Sequence, residues 1–163
     1  MPTEIERKFL VDNDDWRKFV SRHTRISQGY LANTERGSIR IRVSPDQAFL
    51  NIKSMTIGVQ RAEFEYPIPR DDACYMLENL CMRPIIEKTR YFVEQGEHLW
   101  EIDVFDGENT GLIVAEIELS ETDEDFHKPD WIGIEVTDDP RYYNVRLVAE
   151  PFSQWRKDLH FEL

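Results

Sequence analysis

The chain is poor in the features that mark several large functional classes. It has two cysteines, Cys74 and Cys81, in a stretch of helical periodicity. Seven residues of helix hold them about 10.5 Å apart along the axis, too far for a disulfide, so both read as reduced, partly buried thiols. The histidines His23, His98, His127 and His160 show no metal-ligand spacing, and no Ser-His-Asp or Cys-His arrangement can be read locally. P-loop and GxGxxG fingerprints are absent, as are sequence repeats and low-complexity segments. No apolar run approaches the roughly 20 residues that cross a bilayer. The opening MPTEIERK is no secretory leader, so a cytoplasmic protein without a membrane partner is expected. Basic residues are the minority: 20 Lys and Arg against 32 Asp and Glu give a net charge of −12. That disfavours general nucleic-acid binding while leaving room for a local basic pocket.

What the chain does have is charge in alternation. At 163 residues, 40% hydrophobic and 32% charged, it has the composition of one globular domain over residues 1–163. Glu4-Ile5-Glu6-Arg7-Lys8 opens the pattern: in a strand, Glu4, Glu6 and Lys8 share one face. Two carboxylates so spaced lie about 6.7 Å apart and repel by about 2.5 kcal/mol at an effective dielectric near 20. A cation between them would relieve that, and a divalent metal is one candidate.

Further strands repeat the alternation. SIRIRV sets Arg40 and Arg42 against Ile39, Ile41 and Val43; AFLNIKS sets Lys53 with Asn51 and Phe49; RAEFEYPI alternates Arg61, Glu63 and Glu65 with Ala62, Phe64 and Tyr66. EKTRYFVEQ carries Lys88 and Arg90, HLWEIDVF carries Glu101 and Asp103, and LIVAEIELSE carries Glu116 and Glu118. TRISQGYLAN, residues 24 to 33, reads as another strand, with Tyr30 on the same parity as Gln28. Turns fall at Asn33 to Gly37, Ser44-Pro45-Asp46, around Gly58 and near Gln95-Gly96.

Between the strands, Asn13-Asp14-Asp15 offers an N-cap for a short helix with Trp16, Phe19 and Val20, and Asp71 to Leu80 has amphipathic periodicity ended by Pro84. Glu121 to Phe126 suggests a helical turn, and PDWIGIEVTDD reads as irregular or edge-like. Asp139-Pro140 resembles an N-cap with proline at the first helical position. A helix over residues 141 to 149 would be broken by Pro151 and resumed by FSQWRKDL.

Two architectures accommodate these strands. A flat antiparallel sheet would pack its apolar face on the helices and leave its charges in water. Alternatively, the sheet curls into a barrel with its apolar face outward, under the helices, and its charged face around a polar tunnel. Buried charge of that kind must be paired or bound to ligand. Such a lumen suits a polyanion with a metal: guanidinium groups grip phosphate oxygens and carboxylates hold a hard cation.

The ExExK of Glu4, Glu6 and Lys8 resembles the signature of the CYTH superfamily, also called triphosphate tunnel metalloenzymes. The resemblance continues in order through Gln28-Gly29-Tyr30-Leu31, Arg40-Ile41-Arg42, Ile52-Lys53-Ser54, Glu63-Phe64-Glu65-Tyr66 and Glu87-Lys88-Thr89-Arg90-Tyr91. It runs on through Glu101-Ile102-Asp103-Val104-Phe105, Glu116-Ile117-Glu118, Glu135-Val136-Thr137 and Arg141-Tyr142 with Asn144, covering nearly the whole chain. It implies a mainly β fold, an eight-stranded antiparallel β-barrel with a charged interior and helices packed outside.

By the same resemblance, Glu4, Glu6, Asp103, Glu116 and Glu118 would be ligands to Mg2+ or Mn2+, two ions per site. Lys8, Arg40, Arg42, Lys53, Arg61, Lys88 and Arg90 would bind a triphosphate, with Glu63, Glu65 and Glu101 in support. Lys53 is the candidate leaving-group contact and proton donor, Tyr30 a substrate hydrogen-bond donor or a core tyrosine. Catalysis would centre on Lys53, Tyr30, Glu4 and Glu6. The expected activity is metal-dependent hydrolysis of inorganic tripolyphosphate. The alternatives are a thiamine or nucleoside triphosphatase, a class IV-type adenylyl cyclase, or a non-catalytic polyphosphate-binding module. Trp100, Trp131 and Tyr142 are read as core or lid packing first and as stacking partners for a base or thiazolium ring second. A homodimer is compatible with the shorter relatives of this kind.

Overall fold

The strands follow from the alternation, and their pairing decides between the two architectures. The computed structural model describes residues 3–55 and 58–156. The strands are β1 (Thr3–Val11), β2 (Val20–Asn33), β3 (Gly37–Val43), β4 (Ala48–Ser54), β5 (Gln60–Pro67), β6 (Ile86–Gln95), β7 (His98–Phe105), β8 (Ile113–Glu118) and β9 (Ile132–Glu135). The sheet order is β5-β4-β3-β2-β6-β7-β8-β1-β9, and β5 pairs back onto β1 through Thr3↔Ala62, Glu4↔Arg61 and Ile5↔Gln60. Eight antiparallel strands therefore run round a closed ring, as expected, with β9 added along β1. One edge of β1 is laddered to β8 from Glu6 to Leu10; the other is shared between β5 and β9.

The ring is inside out relative to an ordinary β-domain. Its charged face points inward, and the apolar faces are covered from outside. Helix α1 (Arg70–Asn79) lays Ala73 and Leu77 over Ile41, Val43 and Ala48. On another flank Phe9, Trp100 and Ile117 lie beneath Trp16, Phe126 and Trp131. Trp16 and Trp100 are fully buried; covering about 200 Å2 of tryptophan is worth roughly 5 kcal/mol at about 25 cal/mol per Å2. These covers replace the central apolar core that a charged interior forgoes.

Helices α2 (Asn144–Ala149) and α3 (Phe152–Trp155) do something different from the outside packing expected of them. Ile86, Phe105 and Val114 share the strand parity of Lys88, Asp103 and Glu116, so they face into the ring. Leu147, Val148, Phe152 and Trp155 pack with them. The C-terminal helices thus close one end of the ring.

Several local expectations are corrected. Residues 15–19 form a 3-10 helix, and Val20 already begins β2, because Val20 to His23 pair with β6 through Val20↔Val93 and His23↔Tyr91. Helix α1 stops at Asn79, well before Pro84, and Leu80 closes its last turn by donating to the Met76 carbonyl. Cys81 therefore lies beyond the helix, and both cysteines are free. Residues 121–126 form a bend and turn followed by irregular chain. The edge-like stretch contributes the short strand β9. The expected C-terminal helix is divided, because Tyr143 is extended (φ −75°, ψ 134°) between a 3-10 helix at Pro140–Tyr142 and α2. The continuation expected through Lys157, Asp158 and Leu159 lies outside the described residues. Asp139 does cap that turn, accepting the Arg141 amide at 3.1 Å. Asp139→Ala should cost about 1 kcal/mol, read as a lowered urea midpoint at unchanged slope. No helix among the described residues is long and apolar enough to cross a membrane.

Candidate active site

The interior opens as a cavity of about 340 Å3. Strand β1 contributes Glu4, Glu6 and Lys8 to its wall, β3 Arg40 and Arg42, β4 Lys53, and β5 Arg61, Glu63 and Glu65. Arg90 comes from β6, Glu101 from β7, Glu116 and Glu118 from β8, and Tyr30 from β2. The alternation that placed these side chains on one face of each strand is what gathers them. Ser38, Tyr143, Asn144 and Val145 also line it and were not anticipated as site residues. Ser38 carries no charge to single it out. The other three arrive where the extended Tyr143 turns the chain into α2, a long-range contact that no local pattern announces.

Two expected site residues face into the ring but do not line the cavity. Lys88 and Asp103 are fully buried and outside the cavity lining. The Lys88 ammonium lies 2.7 Å from Asp103 Oδ2 and donates to Asn144 Oδ1 at 3.0 Å. Arg90 grips Asp103 with two parallel bonds of 2.8 and 2.9 Å and donates a third, 2.9 Å, to Glu101. Against the desolvation that pushes it up, Arg90 and Lys88 hold the Asp103 carboxyl down at about 2. Burial pulls Lys88 down to about 7 while Asp103 pulls the other way. Asp103 thus bonds two cations, Lys88 and Arg90.

The remaining cations divide into paired and unpaired. Lys8 Nζ sits 2.7 Å from Glu116 Oε1 and 3.7 Å from Glu6. Lys53 Nζ lies 3.1 Å from Glu4 and 3.0 Å from Glu63, and Arg61 Nε 3.2 Å from Glu4. Arg40 and Arg42, by contrast, form no ion pair among the described residues: Arg42 Nε donates to Gln28 Oε1 at 3.3 Å, and the buried Arg40 Nε has no partner. Desolvation, with Arg40 and Arg90 nearby, pulls the Arg42 guanidinium down to about 10. Among the described residues the β3 wall therefore carries guanidinium charge without a directly bonded carboxylate, Asp103 and Glu101 acting on Arg42 only from further off.

The opposite imbalance lies on β1 and β8. Burial, then the Glu116 and Glu4 charges, push the Glu6 carboxyl up to about 7. Burial together with Glu4, Glu101 and Glu63 also raises Glu118. Glu4 behaves otherwise: burial pushes it up, but Lys53 and Arg61 bring it to about 2. In the ring order β3 lies four strands from β8, so the cavity is polarised, unpaired guanidinium on one wall and surplus carboxylate across from it.

Comparison with known proteins agrees with this geometry. The model of the CYTH domain matches residues 2–143. An inorganic triphosphatase of Acetivibrio thermocellus is 44% identical over 157 residues, covering 96% of this chain and 100% of that protein. An inorganic triphosphatase of Nitrosomonas europaea is 36% identical over 149 residues, covering 89% of this chain and 96% of the other. A crystal structure of an inorganic triphosphatase superposes with a TM-score of 0.64 at 34% identity, covering 91% of this chain and 95% of that one. With the charged ring, the ExExK strand and these matches together, the chain belongs to the CYTH domain family.

Proposed function

We propose that this protein is a cytoplasmic, metal-dependent hydrolase of inorganic triphosphate. The observation that carries the reading is the polarised cavity: Arg40 and Arg42 free to receive phosphate oxygens, facing carboxylates that lack enough positive charge. The activity named for both relatives supports it.

The donors fit a hard divalent cation such as Mg2+ or Mn2+, since they are carboxylate oxygens, and burial together with the Glu116 and Glu4 charges raises Glu6 to about 7. Among the described residues no three His, Cys, Asp or Glu side chains already converge on one ion position. Glu6 and Glu118, with Glu4 and Glu116, are the residues that would hold the metal. Four carboxylates accommodate two ions. Held by these residues, a metal would supply charge to neutralise phosphate oxygens and to acidify the attacking water.

The chain's own residues do the rest. Arg40 and Arg42 orient the triphosphate by bidentate hydrogen bonds. Lys8, Lys53, Arg61 and Arg90 supply the charge that stabilises the phosphoryl group in flight and the departing pyrophosphate. Lys53, which lies between Glu4 and Glu63, protonates the leaving oxygen in this reading. Tyr143, Asn144 and Val145 floor the cavity and leave its far end closed.

That floor also bears on substrate choice. Trp100 and Trp131 lie in the outer cluster and Tyr142 packs on Trp155, so none of the three offers a base or thiazolium ring a stacking surface inside. Phosphate release should therefore be fast from tripolyphosphate with Mg2+ or Mn2+, slow from ATP and thiamine triphosphate, and abolished by chelator. Cyclic nucleotide formed from ATP, or tight tripolyphosphate binding without release, would overturn the reading.

A further inference from the structure

The Glu135-Val136-Thr137 motif and Arg7, the outward residue of the ExExK strand, have no part in the chemistry above. Their position is nevertheless specific. Glu6 and Lys8 stand where β1 changes partner along one edge: β5 pairs with Thr3 to Ile5, β9 with Phe9 and Val11, with a register shift within the latter. Between the two ladders the edge is held by Glu6 N–H to the Val59 carbonyl at 2.9 Å and by Val136 N–H to the Lys8 carbonyl at 2.8 Å. The Lys8 amide has no backbone acceptor there and donates to Thr137 Oγ1 at 3.0 Å.

Thr137 is buried, and its hydroxyl donates in turn to Glu135 Oε2 at 2.6 Å. Glu135 is gripped by Arg7 through both carboxylate oxygens, at 2.8 and 2.5 Å. The bonds close a loop: Lys8 amide, Thr137 hydroxyl, Glu135 carboxylate, Arg7 side chain, and back along the main chain to Lys8. Such a loop fixes the pleat at Arg7, and through it the directions in which Glu6 and Lys8 leave the strand. Thr137 also accepts at its carbonyl from Tyr143 OH, 2.7 Å away, tying the same strap to the cavity floor.

We infer that Arg7, Glu135 and Thr137 form a positioning clamp that aims Glu6 at the metal and Lys8 at the triphosphate. This inference rests on the hydrolase reading. A buried hydroxyl bonded on both sides cannot be replaced by a methyl without releasing the Lys8 amide.

Thr137→Val, Thr137→Ser, Arg7→Met and the double variant Arg7→Met/Thr137→Val form the test, with kcat and KM for tripolyphosphate and Mn2+ binding to the protein alone, by electron paramagnetic resonance. Thr137→Val should lose about 100-fold in kcat with KM changed by less than about threefold, and should bind Mn2+ about tenfold more weakly. Thr137→Ser should restore both. Because Arg7 and Thr137 act through Glu135, the double variant should be no worse than the poorer single one. Wild-type kcat and Mn2+ affinity in Thr137→Val and Arg7→Met, or strictly additive losses that follow the melting temperature, would overturn the clamp. Should Thr137→Val fail to fold, Arg7→Met, at a partly exposed side chain, tests the same loop from its other side. A wild type that binds Mn2+ but leaves tripolyphosphate intact would refute the hydrolase reading, and the variants' Mn2+ affinities would still decide the clamp.

Discussion

Glu6→Gln is expected to cut kcat for tripolyphosphate by about a thousandfold or more while making the metal-free protein more stable at pH 8. The two effects have one cause. Glu6 is largely buried beside Glu116 and Glu4, and burial with those charges pushes its carboxyl up to about 7 from an ordinary 4.5. Below pH 4.5 it is protonated folded and unfolded, and contributes no difference. As pH rises from 4.5 to 7 the unfolded chain gives up this proton first, and folding becomes progressively less favourable, by a sum on the order of 3 kcal/mol above pH 7. Glutamine keeps the shape without the charge. The advantage of Glu6→Gln in thermal melts should grow across that window, level off above it, and shrink when Mg2+ or Mn2+ is added, since the cation binds the wild type. A variant less stable than wild type at pH 8 without metal, or one that keeps its turnover, would refute the assignment.

Arg42→Ala should raise KM for tripolyphosphate by about 10- to 100-fold with little change in kcat, the size of one or two charge-assisted hydrogen bonds. The guanidinium is desolvated and beside Arg40 and Arg90, which pull it down to about 10, and it bonds only weakly to Gln28 at 3.3 Å. Its removal should leave the melting temperature unchanged or raised. Arg42→Lys should fall between, because an ammonium cannot grip two oxygens of one phosphate in a plane. Steady-state kinetics at saturating metal measure this; a loss confined to kcat would mean that Arg42 acts on the transition state alone.

The strands and the inward face of most site residues were legible because a period of two is local: SIRIRV needs no partner to show that Arg40 and Arg42 share a side. Which way the sheet curled was not legible from alternation, since a flat sheet presents the same pattern; the family resemblance tipped it, and the β5–β1 pairing settles it. Lys88 and Asp103 obey the same inward parity as Arg90 and Glu101 but do not line the cavity, engaged instead with Asn144, Arg90 and each other. Asn144 and Tyr143 escaped for the converse reason, arriving through a backbone turn far along the chain. Val20 was misread because apolar spacing at Trp16, Phe19 and Val20 fits one helical turn, while the pairing with Val93 that makes it strand lies in β6.

The clamp on β1 also shapes how the protein is made. The Lys8–Glu116 contact spans 108 residues of sequence and the Lys8–Thr137 bond 129. At ribosomal speeds the first strand waits on the order of ten seconds for its neighbours, and contacts of such long sequence separation form slowly. An apolar strand left open that long would invite pairing with other nascent chains. Four of the nine residues of β1 are charged: Glu4, Glu6 and Lys8, proposed to hold metal and phosphate, and Arg7 of the clamp, and such charges on an unpaired strand oppose its aggregation in the unfinished chain.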